Sequence, residues 1–181
     1  LARMMEEETG RRQVADAIIH TAARMDFHGR WERLCSDPAV IADIGHNAHG
    51  LKYNFSQLED LLRTGTFTDL IIIYGAAADK DVDAVFSLMP DNAEYVFTNA
   101  SGKRAMPSEV LMERYLTFCS SHGLTPCPAE CADTVAGAVS RAFEKAVALK
   151  RKSGDARPLV YIGGSTYVVS EAVVPVKEHL R

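Results

Sequence analysis

The sequence contains no long hydrophobic run and no excess of basic residues. Its longest apolar stretch, residues 70–78, is far shorter than the roughly 18 residues that a membrane-spanning helix needs. Residues 1–8 also lack the apolar core of a signal peptide. Lys and Arg number 20 against 24 Asp and Glu, a formal net charge of −4, whereas a protein that binds nucleic acid through its phosphates needs the opposite balance. These absences predict a protein that binds neither membranes nor nucleic acid.

Cysteine is also scarce, with four residues in 181 and no C-x-x-C pair. Cys127 and Cys131 have the spacing of two thiols on one face of a helix, but no second ligand pair accompanies them, so we expect no zinc site. His46 and His49 have the spacing of a metal-binding pair, yet no third ligand lies near them in the sequence. No metal ligands are therefore assigned. Isolated cysteines are typical of reduced thiols, and we expect a cytoplasmic protein.

The sequence does contain hydrophobic periodicity of the helical kind. Apolar residues recur at this spacing in segments that begin near positions 14, 51, 107, 135 and 168. In the strongest segment we expect Val135, Val139, Phe143 and Val147 to be buried against a sheet. The last segment, 168–180, is expected to be interrupted by Pro175. The residues predicted to lie on one side of the helix after Pro107 are Val110, Leu111, Tyr115, Phe118 and Cys119.

Short apolar runs rich in β-branched residues lie between these segments. They occupy residues 40–42, 70–74, 95–97 and 159–162. Continuous rather than alternating hydrophobicity indicates strands that are covered on both faces, as in a parallel sheet. Residues 31–35 are expected to add an edge strand. Since strands alternate with helices, the predicted fold class is α/β, with a mainly parallel, Rossmann-like sheet flanked by helices.

The start of the chain is expected to belong to another domain. Position 1 is Leu rather than Met, and residues 26–29 separate the first helical segment from the α/β pattern. We therefore expect residues 1–28 to be a helix and linker from an upstream domain. Residues 29–181 are expected to form the α/β domain.

The loops that follow the strands carry the functional prediction, because ligands of such sheets bind beyond the carboxyl ends of the strands. Asp43 ends a buried strand, where a carboxylate can accept hydrogen bonds from a ribose. Asn47 is placed either beside the same ligand or at the cap of the next helix. All of these loops are rich in small and polar residues, and they comprise residues 43–50, 75–81, 98–101 and 163–166.

Two further loop features suit an anion. Gly163 and Gly164 would let backbone N–H groups approach a negative group, although tight packing of a strand against a helix explains them equally well. Lys80 either neutralises a carboxylate or phosphate, or is a solvated lysine between two aspartates. The sequence lacks both a complete phosphate loop and a G-x-G-x-x-G segment.

Four motifs occur in a characteristic order along the chain. They are Gly29-Arg30-Trp31-Glu32, Asp43-Ile44-Gly45-His46-Asn47, Ala78-Asp79-Lys80-Asp81 and Gly163-Gly164-Ser165. From Gly29 to about Ala172 the chain resembles the C-terminal domain of folylpolyglutamate synthase/dihydrofolate synthase, a member of the Mur ligase superfamily. The motifs resemble, in turn, the family's G-R-x-E, D-G-A-H-N-P and A-D-K-D segments and its final G-S turn.

The resemblance implies a domain of an ATP-dependent amide ligase that adds glutamate to a folate or to dihydropteroate. In that reaction ATP phosphorylates a carboxylate, and the amine of glutamate attacks the acyl phosphate. Charge neutralisation at the phosphoryl group and placement of the amine are the physical demands.

The resemblance also implies roles for particular residues. Arg30 would reach a nucleotide phosphate and Asp43 would bind the ribose, with Asn47 beside them in the nucleotide-binding set. His46 would face the nucleotide or the reacting carboxylate. Lys80, together with Ser165, would hold the incoming glutamate. The candidate catalytic residues are therefore His46 and Lys80.

The sequence departs from the family in two respects. Ile44 and Ala48 replace the usual Gly and Pro of the second motif. The phosphate loop and the magnesium ligands, which the family carries in a larger upstream domain, do not occur in these 181 residues. The resemblance therefore implies that ATP and Mg²⁺ are bound with an upstream ATPase domain of the same polypeptide. This chain would close over the nucleotide and glutamate, and it would not catalyse alone.

Two alternatives remain at this stage. One is a Mur ligase of peptidoglycan synthesis, which shares the fold. The other is a noncatalytic α/β module that binds a nucleotide with the same loops. A G-x-G-K-[ST] phosphate loop upstream would favour a ligase over the binding module.

Overall fold

The computed structural model describes residues 29–179, and the α/β fold predicted from the sequence is confirmed there. Within these residues six strands form one sheet, in the order β1-β2-β6-β3-β4-β5. All neighbouring strands are parallel except β1, the predicted edge strand, which is antiparallel to β2. The strands are β1 (Glu32–Ser36), β2 (Ala39–Ala42), β3 (Asp69–Tyr74), β4 (Glu94–Thr98), β5 (Ala129–Ala132) and β6 (Pro158–Gly163).

Helices cover both faces of the sheet. In the described part of the chain they are α1 (Ala48–Arg63), α2 (Asp83–Phe86), α3 (Ser108–Ser121), α4 (Val135–Lys152) and α5 (Thr166–Glu178). Helices α1, α2 and α3 contribute to one hydrophobic core, and α4 and α5 contribute to the other. This is the doubly wound arrangement that the alternation of strands and helices predicts.

The central strand β3 is apolar from Leu70 to Tyr74 because each face of the sheet has its own core. Leu70, Ile72 and Tyr74 pack with α1, α2 and α3, whereas Ile71 and Ile73 pack with α4 and α5. All five are at most 2% exposed. Full burial of a side chain of this size contributes about 1.5–3 kcal/mol. Strand β3 is therefore a major source of the stability of the domain.

The position of β6 determines which loops meet. Although β6 is the last strand in the sequence, it lies between β2 and β3 and is parallel to both. The N–H of Asp43 donates to the carbonyl of Ile162 at 3.0 Å, and the N–H of Gly164 donates to the carbonyl of Gly45 at 3.2 Å. The prediction that the Asp43 and Ser165 loops lie at the same edge of the sheet is confirmed.

Val147, which was predicted to be buried, and Val110, which was predicted to share one side of its helix with the buried Leu111, are both exposed. Val147 is 41% exposed and Val110 is 43% exposed, so these predictions were wrong. A residue four positions further on lies about 40° further round a helix, and the row from Val135 through Val139 to Val147 therefore turns away from the sheet. Val110 directly precedes the buried Leu111 and lies about 100° from it round the helix.

Helix α5 continues through Pro175 instead of being interrupted there. The helix begins at Thr166, two residues before the predicted start, and runs to Glu178. Ala172 and Val176, on either side of the proline, are completely buried. Packing against the sheet thus outweighs the local cost of a proline within the helix.

Strand β5 was missed from the sequence. Cys131 lies in this strand, whereas Cys127 precedes it, so the two thiols do not share a helical face as their spacing suggested. The strand reads Ala-Glu-Cys-Ala and lies at the edge of the sheet. Alanine and glutamate are uncommon in strands, so the segment carries little sequence signal.

The helix predicted to begin near residue 14 and the last predicted helical position, 180, lie outside the described residues. No helix within residues 29–179 is long and apolar enough to cross a membrane.

The close approach of the β6 and β3 loops generates a stability prediction. Gly164 has a φ of +89°, and a Cβ at this position would lie 2.4 Å from Cε2 of Tyr74 and 2.5 Å from the carbonyl oxygen of Gly75. We expect Gly164→Ala to lower the free energy of unfolding by about 1–3 kcal/mol, because it adds backbone strain and a steric clash. Urea denaturation followed by circular dichroism measures the change.

Gly154→Ala is the matched control for this prediction. A Cβ at Gly154 meets no atom within 4 Å. We expect its effect on the free energy of unfolding to stay within about 1 kcal/mol. Equal stability of the two variants would contradict the inferred tight approach at Gly164.

Candidate functional site

A cavity of about 380 Å³ opens at the carboxyl edge of the sheet, among the loops that follow β3, β4 and β6. His46, Lys80 and Ser165 all line it, so the structure brings three of the predicted site residues together. Lys103 and Arg104 add two further cations, and none of the described residues that line the cavity is acidic. The wall therefore carries positive charge without a carboxylate of its own, which suits a negatively charged ligand.

The N-terminus of α5 forms one side of the cavity. Ser165 is the N-cap of this helix, and its Oγ accepts a hydrogen bond from the N–H of Tyr167 at 3.2 Å. The first N–H groups of a helix have no acceptor within the helix, and the helix dipole favours an anion beside them. The hydroxyl proton of Ser165 remains for a second hydrogen bond. This end of the cavity therefore offers hydrogen-bond donors to an anion.

Lys80 is exposed on the loop after β3, and both aspartates that flank it are engaged by other groups. Asp79 pairs with Arg104 at 2.8 Å, and this hydrogen bond lowers the pKa of the Asp79 carboxyl. The Oδ1 of Asp81 accepts a hydrogen bond from the N–H of Ala84 at 3.3 Å. No ion pair within residues 29–179 neutralises Lys80. The ammonium group therefore lies at the cavity outside any ion pair in this part of the chain, although its charge also contributes to the lowered pKa of Asp79.

The carboxylate of Asp43 is the centre of a hydrogen-bond network at the end of β2. Its Oδ2 accepts from the N–H of Trp31 at 2.9 Å, and its Oδ1 accepts from the N–H of Gly45 and from Nδ2 of Asn54, both at 2.7 Å. Asn54 is only 7% exposed and also donates to the hydroxyl of Tyr161 at 2.9 Å. The Asp43 side chain thus joins the turn before β1, its own loop and α1, and Asn54 extends the network to Tyr161 of β6. It does not line the cavity.

Arg30 lies in a turn that is held to the Asp43 segment from both sides. The N–H of Ile44 donates to the carbonyl of Gly29 at 2.6 Å, and the N–H of Trp31 donates to Asp43. Trp31 has a φ of +48°, which bulky residues rarely adopt, and such strain persists only where surrounding contacts hold it. Arg30 is exposed and does not line the cavity. Arg30 and Asp43 therefore form a second part of the edge, separate from the cavity wall.

The loop from Asp43 to Asn47 connects the two parts. Asn47 is the N-cap of α1, and its Oδ1 accepts from the N–H of Gly50 at 2.8 Å, as the capping alternative predicts. Nδ1 of His46 lies 3.1 Å from the carbonyl oxygen of Ile44. Because a carbonyl only accepts, a neutral His46 that makes this bond carries its proton on Nδ1, and its Nε2 is left as an acceptor.

Sequence reasoning missed three residues at this edge: Asn54, Lys103 and Arg104. Asn54 lies three positions after Leu51 and four before Leu58, and a polar residue on such an apolar row indicates a buried hydrogen bond. The adjacent cations Lys103 and Arg104 follow β4, but the predicted loop ended at residue 101. The basic pair itself was the available signal.

Comparison with known proteins identifies the family. A family model described as "Mur ligase, glutamate ligase domain" matches residues 29–156. The chain belongs to this family. A probable bifunctional folylpolyglutamate synthase/dihydropteroate synthase of Haloferax volcanii is 30% identical over 158 residues, which are 87% of this chain and 17% of that protein. A dihydrofolate synthase/folylpolyglutamate synthase of Haemophilus influenzae is 33% identical over 78 residues, 42% of this chain and 18% of that protein.

The glutamate ligase domain also resembles solved structures. Mycobacterium tuberculosis folylpolyglutamate synthase complexed with ADP superposes with a TM-score of 0.64 and 26% identity, over 84% of this chain and 32% of that chain. The predicted resemblance to folylpolyglutamate synthases is thereby confirmed. The chain spans 17% of the length of its Haloferax relative and about a third of the length of the mycobacterial enzyme.

The hydrogen bonds of Asp43 generate a second stability prediction. We expect Asp43→Ala to lower the free energy of unfolding by about 1–3 kcal/mol, because its three donors lose their acceptor. Chemical denaturation measures the change. Asp155→Ala is the control, since Asp155 is exposed and makes no side-chain hydrogen bond within the described residues; we expect a change within about 0.5 kcal/mol. Equal losses for the two variants would show that the network does not stabilise the domain.

Proposed function

We propose that this glutamate ligase domain is part of an ATP-dependent ligase that adds glutamate to a folate or to dihydropteroate. The observation that carries the proposal is the cavity at the carboxyl edge, which places His46, Lys80 and Ser165 together on a wall without carboxylates. The similarity to folylpolyglutamate synthases supports the same assignment and favours it over a ligase of peptidoglycan synthesis.

In this proposal the cavity binds the incoming glutamate. A carboxylate lies at the N-terminus of α5, where Ser165 and backbone N–H groups donate to it and Lys80 neutralises its charge. Hydrogen bonds to charged groups contribute about 1.5–3 kcal/mol each. Such contacts hold the amine in a fixed position, which is where much of the rate enhancement of a two-substrate reaction originates.

The nucleotide lies at the second part of the edge. The guanidinium of Arg30 contacts a phosphate, which its fork of donors suits. Asp43 offers the remaining lone pair of Oδ2 to the ribose while it keeps its own loop in place. Asn47 binds beside the nucleotide through its amide N–H groups, while its Oδ1 caps α1.

The chemistry proceeds through an acyl phosphate. The acceptor carboxylate attacks the γ-phosphorus of ATP and releases ADP; the glutamate nitrogen then attacks the acyl carbon, expels phosphate and loses a proton. In this proposal His46, which lines the cavity, contacts the reacting groups, and Nε2 of the neutral ring whose Nδ1 donates to Ile44 receives this proton. Mg²⁺, when bound with ATP, supplies charge neutralisation at the phosphates.

We assign the phosphate loop and the Mg²⁺ ligands to an upstream ATPase domain, which residues 1–28 would join to the ligase domain. No cluster of three or more His, Cys, Asp or Glu within residues 29–179 has the arrangement of a metal site. Solved relatives include a Yersinia pestis folylpolyglutamate synthase/dihydrofolate synthase with AMPPNP and a Mn ion. Closure of the two domains would then complete the site.

Transfer of labelled glutamate tests the proposal directly. We expect the complete gene product that contains this chain to form a glutamyl amide on dihydropteroate or a reduced folate, with one ATP consumed for each bond. Peptidoglycan precursors serve as the competing acceptors. Nucleotide binding without glutamate transfer to any acceptor would instead support the noncatalytic module.

Lys80 provides the test of the glutamate site. We expect Lys80→Ala in the complete gene product to raise KM for glutamate by about ten- to a hundredfold, because a charge-assisted contact is lost, while KM for ATP stays unchanged. Lys152→Ala is the control, since Lys152 ends α4 at the opposite edge of the sheet. An unchanged KM for glutamate in Lys80→Ala would contradict the assignment.

Arg30 provides the test of the nucleotide site. We expect Arg30→Ala to lower kcat/KM for ATP by about ten- to a hundredfold, because a charge-assisted contact to a phosphate is lost. Arg151→Ala, an exposed residue at the end of α4, is the control. Normal ATP kinetics in Arg30→Ala would remove Arg30 from the nucleotide site.

A further inference from the structure

The loop that follows β4, residues 99–106, is held over the cavity from two sides. On one side, Ser101 donates to Glu171 of α5 through its N–H at 2.9 Å and through its Oγ at 2.7 Å. On the other side, the carbonyl of Arg104 accepts from the N–H of Ala78 at 2.8 Å. The N–H of Met106 donates to the carbonyl of Ala76, also at 2.8 Å. The loop is therefore joined both to α5 and to the loop that carries Lys80.

Lys103 lies between these two attachments. It is exposed and lines the cavity together with Lys80 and Ser165. Arg104, the adjacent cation, is already paired with Asp79 at 2.8 Å, so its charge is compensated. No ion pair in the described part of the chain neutralises Lys103. The cavity thus has an uncompensated cation on the β4 side, in addition to Lys80.

The order of the strands separates the three groups that can contact an anion in the cavity. Lys103 follows β4, Lys80 follows β3 and Ser165 follows β6, and these strands are consecutive neighbours in the sheet. Adjacent strands lie about 4.8 Å apart, so the cavity offers anion contacts over roughly two strand spacings. A single carboxylate does not extend over that width, whereas an amino acid with two carboxylates does.

We propose that Lys103 is a specificity-determining residue that binds the second carboxylate of the incoming amino acid. This inference rests on the proposed function, in which Lys80 and Ser165 bind the first carboxylate. When the amine of glutamate is the nucleophile, both of its carboxylates remain ionised throughout the reaction. A site for glutamate therefore needs two anion contacts, and one for a neutral amino acid such as alanine needs only one.

The test compares glutamate with its two monoamides, glutamine and isoglutamine, as substrates of the complete gene product. We expect Lys103→Ala to raise KM for glutamate about tenfold or more, with unchanged KM for ATP. For one of the two monoamides the substitution has no effect on kcat/KM, because that substrate lacks the carboxylate that Lys103 binds. The identity of that monoamide shows whether Lys103 binds the α- or the γ-carboxylate. Lys103→Arg retains the charge and restores most of the affinity for glutamate.

Lys152→Ala is the control and leaves all of these constants unchanged. An equal loss with glutamate and with both monoamides, or an increased KM for ATP, would overturn the assignment of Lys103 to a carboxylate. So would unchanged kinetics in Lys103→Ala while the wild type transfers glutamate normally. Failure of the wild type to transfer glutamate to any acceptor would instead remove the proposed function, and the inference with it.

Discussion

The insertion of β6 between β2 and β3 is the constraint on which the rest of the structure depends. The last strand enters the middle of the sheet, and its exit must pass close to the exit of β3. Gly164 makes this passage possible, since a side chain there would overlap Tyr74 and the backbone of Gly75. The loops after β2, β3 and β6 consequently meet at one edge, and every proposed ligand contact lies on them or beside them. The close approach of the β6 and β3 loops explains why residue 164 is a glycine. The same approach brings together loops that line the cavity.

Asp43 has a structural role at this edge in addition to the binding role that we propose for it. Its carboxylate accepts hydrogen bonds from three donors and so fixes the turn that presents Arg30. Burying a polar network of this kind costs little free energy when each of its buried polar groups is hydrogen-bonded. The proposed nucleotide contacts and the cavity are then separated by only a few residues of loop, with His46 lining the cavity. In that proposal, a substitution at Asp43 changes the position of the Arg30 turn as well as the contact to the ribose.

The sequence predicts the fold well because burial in the two cores requires a recognisable pattern of apolar residues in the strands and another in the helices. Continuous apolar strands such as β3 and the periodic residues of α4 are determined by burial, which is visible in one dimension. Val147 was mispredicted because an i, i+4 row drifts round the helix, a matter of geometry rather than of composition. Strand β5 carries few strand-forming residues and is held by its pairing with β4, so no local pattern predicts it.

The site was predictable only in part, for a related reason. Motif residues such as Lys80 and Ser165 lie in loops that follow strands, and the rule that parallel strands end at one edge places those loops together. Asn54 and Lys103 left only weak signals in the sequence, a polar residue on an apolar row and a basic pair. The sequence does not display the contacts that bring them to this edge, because these depend on the packing of whole elements: Asn54 reaches Asp43 from the second turn of α1, and the Lys103 loop is attached to α5.

The position of β6 in the sheet also determines when the sheet can finish folding during synthesis on the ribosome. Strand β3 pairs along its full length with β6, which emerges only after β4, α3, β5 and α4. Until then one edge of β3, which is apolar from Leu70 to Tyr74, has no partner, and unpaired strand edges favour association between chains. Contacts between segments so far apart also slow folding. A chain that ended before β6 would lack a strand in the middle of the sheet, between β2 and β3, rather than a strand at its edge.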